Sequence, residues 1–297
     1  MGKASRNKRT GSARDRIAAQ RAAEKRRAVR MRIAMVGSSV VVVLAIVAAF
    51  ALYEANRSSN GGQPSSGTTL SAAVIHDVTA VPAATLNSVG AGTVDAKSII
   101  TLKNGTALTS AGKPEVLYIG AEYCPYCATE RWAVAVALSR FGTFSGLHGI
   151  HSSSTDVYPS TPTLTFYKST YTSTYLSFVP VETETVAKKT LQTPTKAQSA
   201  LIAKYDAPPY VSADSEGSIP FIDFGNKYMI SGASYNPQIL QGKTWAQVAA
   251  ALKDPSSTIA KGVDGTANLI TATICKLTNN QPATACTSVV KSMEGQV

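Results

Sequence analysis

Two thiols set close together can exchange electrons with a third, and this chain carries such a pair in Cys124-Pro125-Tyr126-Cys127. The pair falls between an apolar run, residues 115–121 (EVLYIGA), and a stretch with helical character, residues 125–141. A first cysteine at that junction sits at a helix N-terminus, where unpaired N–H groups and the helix dipole stabilise a thiolate. The second, one turn further in, is placed to close a disulfide or to resolve a mixed one. Pro125 suits the first helical turn, where its missing N–H costs nothing. The spacing therefore casts Cys124 as the attacking thiol and Cys127 as the more buried resolving thiol. An inert, structural disulfide is the plainer reading of the same residues. Zinc is a third, because His148 and His151 follow in a C-x2-C-x20-H-x2-H order, although both intervals fall outside common zinc-finger spacings.

Cys275 and Cys286 enclose ten residues that include Asn279-Asn280-Gln281-Pro282, a turn-rich loop. In an oxidising compartment they read as a structural disulfide, contributing about 3 kcal/mol in the chain-entropy picture. A second redox relay is the alternative, weakened by the lack of a strand–helix junction around this pair.

The elements that must position these residues follow from pattern. Residues 115–121 read as a buried strand and 125–141 as a helix, with Gly142 as its stop. Residues 147–151, 163–167 and 174–181 carry β-branched and aromatic residues and read as strands. Residues 195–205 read as a helix. Residues 219–224 and 227–231 form a hairpin about Gly225-Asn226, and 237–252 and 267–277 are helical. Glu182 and Glu184 alternate like a solvated strand face. Tyr158, Tyr167, Tyr171 and Tyr175 read as a sheet face, with a peptide- or glycan-binding surface as the alternative. The order is that of an α/β protein.

Charge places the whole. Of 29 basic residues in the chain, 12 lie in residues 1–32 with only Asp15 and Glu24 against them; the remaining 265 residues hold 17 basic and 16 acidic. The formal charge of +11 is thus a tail on a nearly neutral body, which argues against nucleic acid as the partner of the body. Residues 33–53 contain no charge and as a helix span about 31 Å, enough to cross a bilayer. Arg26, Arg27, Arg30 and Arg32 directly before them put the N-terminus in the cytoplasm. A cleavable signal peptide is the competitor, given the small-x-small Ala49-Phe50-Ala51. The expected organisation is a cytoplasmic tail (1–32), a single transmembrane anchor (33–53), a Gly/Ser/Asn/Pro linker (54–69) and an extracytoplasmic domain (70–297).

The stretch Tyr118-Ile119-Gly120-Ala121-Glu122-Tyr123-Cys124-Pro125-Tyr126-Cys127 resembles the active-site strand and helix of the thioredoxin superfamily, and its CPYC looks like that of glutaredoxins. Ser218-Ile219-Pro220-Phe221-Ile222 resembles that superfamily's cis-proline site. The layout as a whole, with GAEYCPYC, HSSSTDVYPSTPT, IPFIDFGN and the later cysteine pair, is similar to the thioredoxin-like DUF929 family. The resemblance implies a thioredoxin-like α/β fold with a C-terminal helical extension. It also implies an insertion around residues 152–210, since Pro220 lies 93 residues after Cys127. It implies catalytic Cys124 and Cys127, with Pro220, Ile219, Tyr123 and Tyr126 lining the substrate site. It departs at Tyr118, which stands where thioredoxins keep a buried carboxylate; Glu122 nearby is at a position that usually faces solvent.

Two expectations follow. The first is a membrane-anchored thiol-disulfide oxidoreductase, an oxidase or isomerase acting on thiols of secreted or envelope proteins. That chemistry needs no metal or cofactor beyond a soluble or membrane redox partner. The second is a thioredoxin-fold binding module without catalysis.

Overall fold

A computed structural model describes residues 67–297 of the chain. The tail, the anchor over 33–53 and most of the linker expected from the sequence lie outside them. Among the described residues, no helix is long and apolar enough to cross a membrane.

The chain enters through β1 (Thr68–Thr69), α1 (Ala72–Thr79) and α2 (Ala83–Val89), then β2 (Ile100–Thr101) and β3 (Thr109–Ser110). The central strand β4 (Lys113–Gly120) runs into α3 (Pro125–Ser139). Four short strands follow, β5 (Gly142–Ser145), β6 (His148–His151), β7 (Pro162–Thr165) and β8 (Thr170–Ser173). β9 (Ser177–Glu182), α4 (Lys196–Tyr205), β10 (Phe221–Phe224) and β11 (Tyr228–Ser231) come next. The chain ends in α5 (Trp245–Ala251), α6 (Thr258–Leu277) and α7 (Ser288–Met293).

Around β4 the topology is simple. β9 pairs with it in parallel and β10 antiparallel on its other edge, with Tyr118 registered between Pro180 and Ile222. β11 then pairs antiparallel with β10 through Gly225-Asn226, both at positive φ (64° and 55°), the backbone that a tight hairpin turn requires. Stripped to essentials, the order is strand, helix, parallel strand, helix, antiparallel hairpin, helix.

Period-two alternation distributes β4 between two cores. Val116 and Tyr118, with Ile222, Phe224 and Ile230, pack into the larger core with Trp132 of α3 and Ile270 and Ile274 of α6. Leu117 and Ile119, with Phe221 and Met229, face the other way and meet Tyr205, Leu201 and Ile202 of α4. Helices thus cover both faces of the sheet.

α3 is the most enclosed element near the cysteines: thirteen of its fifteen residues are buried. It packs against α6, α1, β5 and β7. Trp132 donates its indole N–H to the Pro162 carbonyl at 2.9 Å. At its far end Arg140 bonds Asn268 and Thr271 of α6 and the Ala285 carbonyl. Asn268 in turn donates to the Leu86 and Gly90 carbonyls, tying α2 to the same helix.

Several boundaries differ from the sequence expectation. The extra chain between α3 and the parallel strand is only 142–173; residues 177–182 and 196–205 belong to the central sheet and its covering helix, not to an insertion. Gly142 does not stop α3 but opens β5, where a Cβ would collide with the Thr172 carbonyl oxygen. The helix expected over 237–252 is broken at Gln241-Gly242-Lys243: a 3-10 turn (Pro237–Leu240) ends there, Gly242 takes φ 68°, and Thr244 caps α5 anew. α6 begins nine residues earlier than its apolar pattern suggested, because Ser257 caps it and Gly262 and Gly265 fit against neighbouring chain. α1 and α2 precede the first element that the sequence pattern marks.

Candidate active site

β4 delivers the chain to Ala121, and a short loop of Glu122 and Tyr123 leads to Cys124, which caps α3. The Cys127 N–H donates to Cys124 Sγ at 3.4 Å, and Cys124 Sγ lies 3.7 Å from the Ile219 carbonyl oxygen. Both thiols are unbonded; Cys124 keeps a sliver of exposure (5%) and Cys127 none. The Ile219–Pro220 peptide is cis, Pro220 is buried and Ile219 packs against the two cysteines.

The two thiols are driven apart electrostatically. Cys124 is pulled below the usual thiol value, first by the hydrogen bond from the Cys127 thiol, against burial, and further by the Cys127 and Tyr126 N–H groups and by Arg131. Cys127 is pushed well up, chiefly by burial and then by giving its proton toward Cys124. One sulfur is prepared to carry charge and its neighbour to hold a proton.

Tyr123 and Tyr126 stand at the rim. Tyr123 is half-buried, accepts a bond from Ser153 N–H on its carbonyl (2.8 Å), and carries Lys188 Nζ 4.8 Å from its ring centroid. Tyr126 is exposed and meets Tyr158 edge-on at 5.9 Å. Tyr126, Val157 and Val186 are the exposed large apolar side chains among the described residues. The first lies between the cysteines, and the others are on loops bonded to the same turn through Ser153–Tyr123 and Glu122–Glu184.

Beneath the thiols lie charges that sequence patterning misread. Glu182 is fully buried, not solvated, and takes a bidentate pair from Arg131 Nε (2.8 Å) and Nη2 (2.7 Å). Arg131 Nη2 also donates to the Ala121 carbonyl at 2.7 Å. Burial works against the charge on this guanidinium, but Glu182 outweighs it, and the pKa rises above the usual arginine value. Glu122, expected at the surface, is buried and accepts from the Thr165 hydroxyl at 2.7 Å. Tyr118 is buried with its hydroxyl unpartnered and its pKa pushed well up by burial. Glu130, beside Arg131 on α3, accepts from the Ser234 N–H and hydroxyl, and burial raises it to about 7. Arg131 stands four residues after Cys127, the one signal in the sequence that it shares a helix face with the thiol.

The remaining candidates fall elsewhere. His148 Nδ1 pairs with the Gly146 carbonyl, and the His151 ring packs 4.5 Å from Trp245. Among the described residues, no three His, Cys, Asp or Glu side chains gather as a metal-binding set. Tyr171 donates its hydroxyl to the Leu138 carbonyl and packs on Phe144 and Phe178, a core role. Cys275 and Cys286 are disulfide-bonded across 11 positions and buried.

The family model for the domain of unknown function DUF929 matches residues 100–276, which take in the cysteine pair, the sheet and most of α6. The chain belongs to that family. No curated protein and no solved structure matches it at a significant level.

Proposed function

We propose that this DUF929 domain is a thiol-disulfide oxidoreductase of thioredoxin type, held outside the membrane by the apolar segment 33–53 and acting on thiols of secreted or envelope proteins. The observation that carries the reading is the asymmetry of the cysteines. Cys124 caps a helix with its thiol pulled down by the Cys127 thiol and nearby N–H groups, and Cys127, one turn deeper, is covered with its thiol pushed up by burial. An inert pair requires no such division of labour. The order of elements around β4 and the placing of Ile219 beside Cys124 resemble the thioredoxin pattern and support the same reading.

In the oxidising direction, a client thiolate attacks Cys124 Sγ of the oxidised pair. The Cys124–Cys127 bond breaks, Cys127 leaves and takes a proton, and a mixed disulfide joins client to Cys124. A second client thiolate then attacks the client sulfur of that bond and expels Cys124 as thiolate. Two electrons pass from the client to the pair, and a redox partner bearing a disulfide restores it. A stabilised Cys124 thiolate favours this direction because it is the better leaving group and lowers the energy of the reduced pair. Pro220, Ile219, Tyr123 and Tyr126 surround the position a client chain takes.

The test is thiol trapping on the full-length protein. Cys127→Ser leaves Cys124 to attack a client disulfide with no neighbouring thiol to break the mixed disulfide, so it should accumulate client-linked species that a reductant releases, and Cys124→Ser should not. A pair that stays oxidised and inert toward dithiols, with no trapped species from Cys127→Ser, leaves the non-catalytic binding module as the function.

A further inference from the structure

We propose that Arg131 sets the redox poise of the Cys124/Cys127 pair: aimed by Glu182, its guanidinium is the buried counter-charge of the Cys124 thiolate. This rests on the exchange chemistry proposed above and assigns a positioning residue to it.

Position comes first. Arg131 lies four residues beyond Cys127 and seven beyond Cys124 on α3, spacings that bring all three onto one helical face. Its Nη2 holds the Ala121 carbonyl, three residues before Cys124, so the guanidinium is tied to both ends of the turn that presents the thiols. Glu182, at the end of the neighbouring parallel strand, grips the Nε and Nη2 edge. Nη1 is left buried without a partner, and so is the Tyr118 hydroxyl, whose ring centroid is 5.9 Å from the guanidinium carbon.

A plain staple between helix and strand does not account for this. Two fully buried charges suffer a large desolvation cost, and a well-packed apolar pair of similar volume often does as well or better. Leaving one guanidinium donor unpaired adds to that cost. The arrangement makes sense if part of the positive charge is reserved for a species that exists only when the pair is reduced. Direction agrees: Arg131 stabilises the ionised form of both cysteines. Tyr118 is destabilised as an anion by Glu182, Cys127 and Cys124, so these groups form one electrostatic cluster.

The proton count links the charge to poise. Above the Cys124 midpoint, two electrons reduce the pair to one thiolate and one thiol, and only one proton is bound. Any group that stabilises the thiolate stabilises the reduced state. A tenfold weakening of thiolate stabilisation makes the pair tenfold harder to reduce, about 30 mV for two electrons.

The experiment follows the pH dependence of Cys124 alkylation, and the equilibrium with glutathione, on the full-length protein. Arg131→Met combined with Glu182→Leu removes both charges and keeps the site apolar. It should raise the alkylation midpoint by about one unit and shift the glutathione equilibrium about tenfold toward the disulfide. Glu182→Gln leaves the guanidinium uncompensated and should lower the midpoint; Arg131→Lys should stay near wild type. Unchanged midpoints in folded variants overturn the proposal while leaving the oxidoreductase reading standing; a wild-type pair inert to dithiols overturns that reading instead. Should the variants not fold, the wild type decides. The Arg131 guanidinium 15N resonances should titrate with the Cys124 midpoint in the reduced protein and stay flat in the oxidised one. Flat traces in both states overturn the proposal.

Discussion

Replacing Asp264 by asparagine should stabilise the domain at neutral pH, and the gain should fade in acid. Asp264 lies on the buried face of α6, and neither of its carboxylate oxygens has a hydrogen-bond partner. Burial raises its pKa from 3.8 to about 8. The sign follows from proton counting. Below the unfolded value both states hold the proton and the group contributes no pH dependence. Above it the unfolded chain ionises while the folded one stays protonated, so stability falls as pH rises through the window from about 4 to about 8. From 3.8 to pH 7 is a little over three units, so at 1.36 kcal/mol per unit the loss reaches at most about 4 kcal/mol. Water entry and side-chain relaxation reduce this, and about 2 kcal/mol is the working expectation. Asparagine keeps the size and meets the same unpartnered surroundings, but it never ionises. Urea denaturation of the full-length protein and Asp264→Asn, followed by tryptophan fluorescence, should therefore show curves that nearly coincide at pH 4 and separate by pH 7. Glu130, which burial raises to about 7, is present in both proteins, so its own pH dependence cancels in the comparison. A stability difference that is the same at both pH values, or a variant less stable at pH 7, refutes the reasoning.

Two further outcomes are specific. Breaking the Cys275–Cys286 bond by Cys275→Ala/Cys286→Ala should lower unfolding free energy by about 3 kcal/mol without changing Cys124 alkylation, as measured by denaturation and trapping side by side. Asn268→Leu removes the donors that hold the Leu86 and Gly90 carbonyls and should cost about 2 kcal/mol or more, with hydrogen exchange quickening first in α2.

What the sequence disclosed was local. The strand into Cys124, the capping cysteine with Pro125 behind it, and the Gly225-Asn226 turn each depend on neighbours within a few positions, and each stands where its pattern indicated. The charges beneath the thiols depend on partners far along the chain. Arg131 and Glu182 are 51 positions apart, and each alone carries the pattern of a solvated charge. Glu122 is buried because Thr165, 43 positions away, meets it. α3 gives little amphipathic signal because it is enclosed on nearly every side, which also hid how much chain packs around it. The shortness of β2 and β3 left them below any periodic pattern, since two residues show none.

The enclosure of α3 has a mechanical consequence. A helix packed along its length by α6, α1, β5 and β7, bonded at Arg140 and braced by Trp132, is held firmly in place as a new sulfur approaches in the proposed exchange. Displacement of one sulfur by another needs three nearly collinear sulfurs, so in the proposed exchange nearly all of the bending falls to the incoming chain. Slack polypeptide satisfies that alignment readily; a finished, rigid one does not. In the proposed exchange, a stiff α3 would favour clients whose own folding is unfinished.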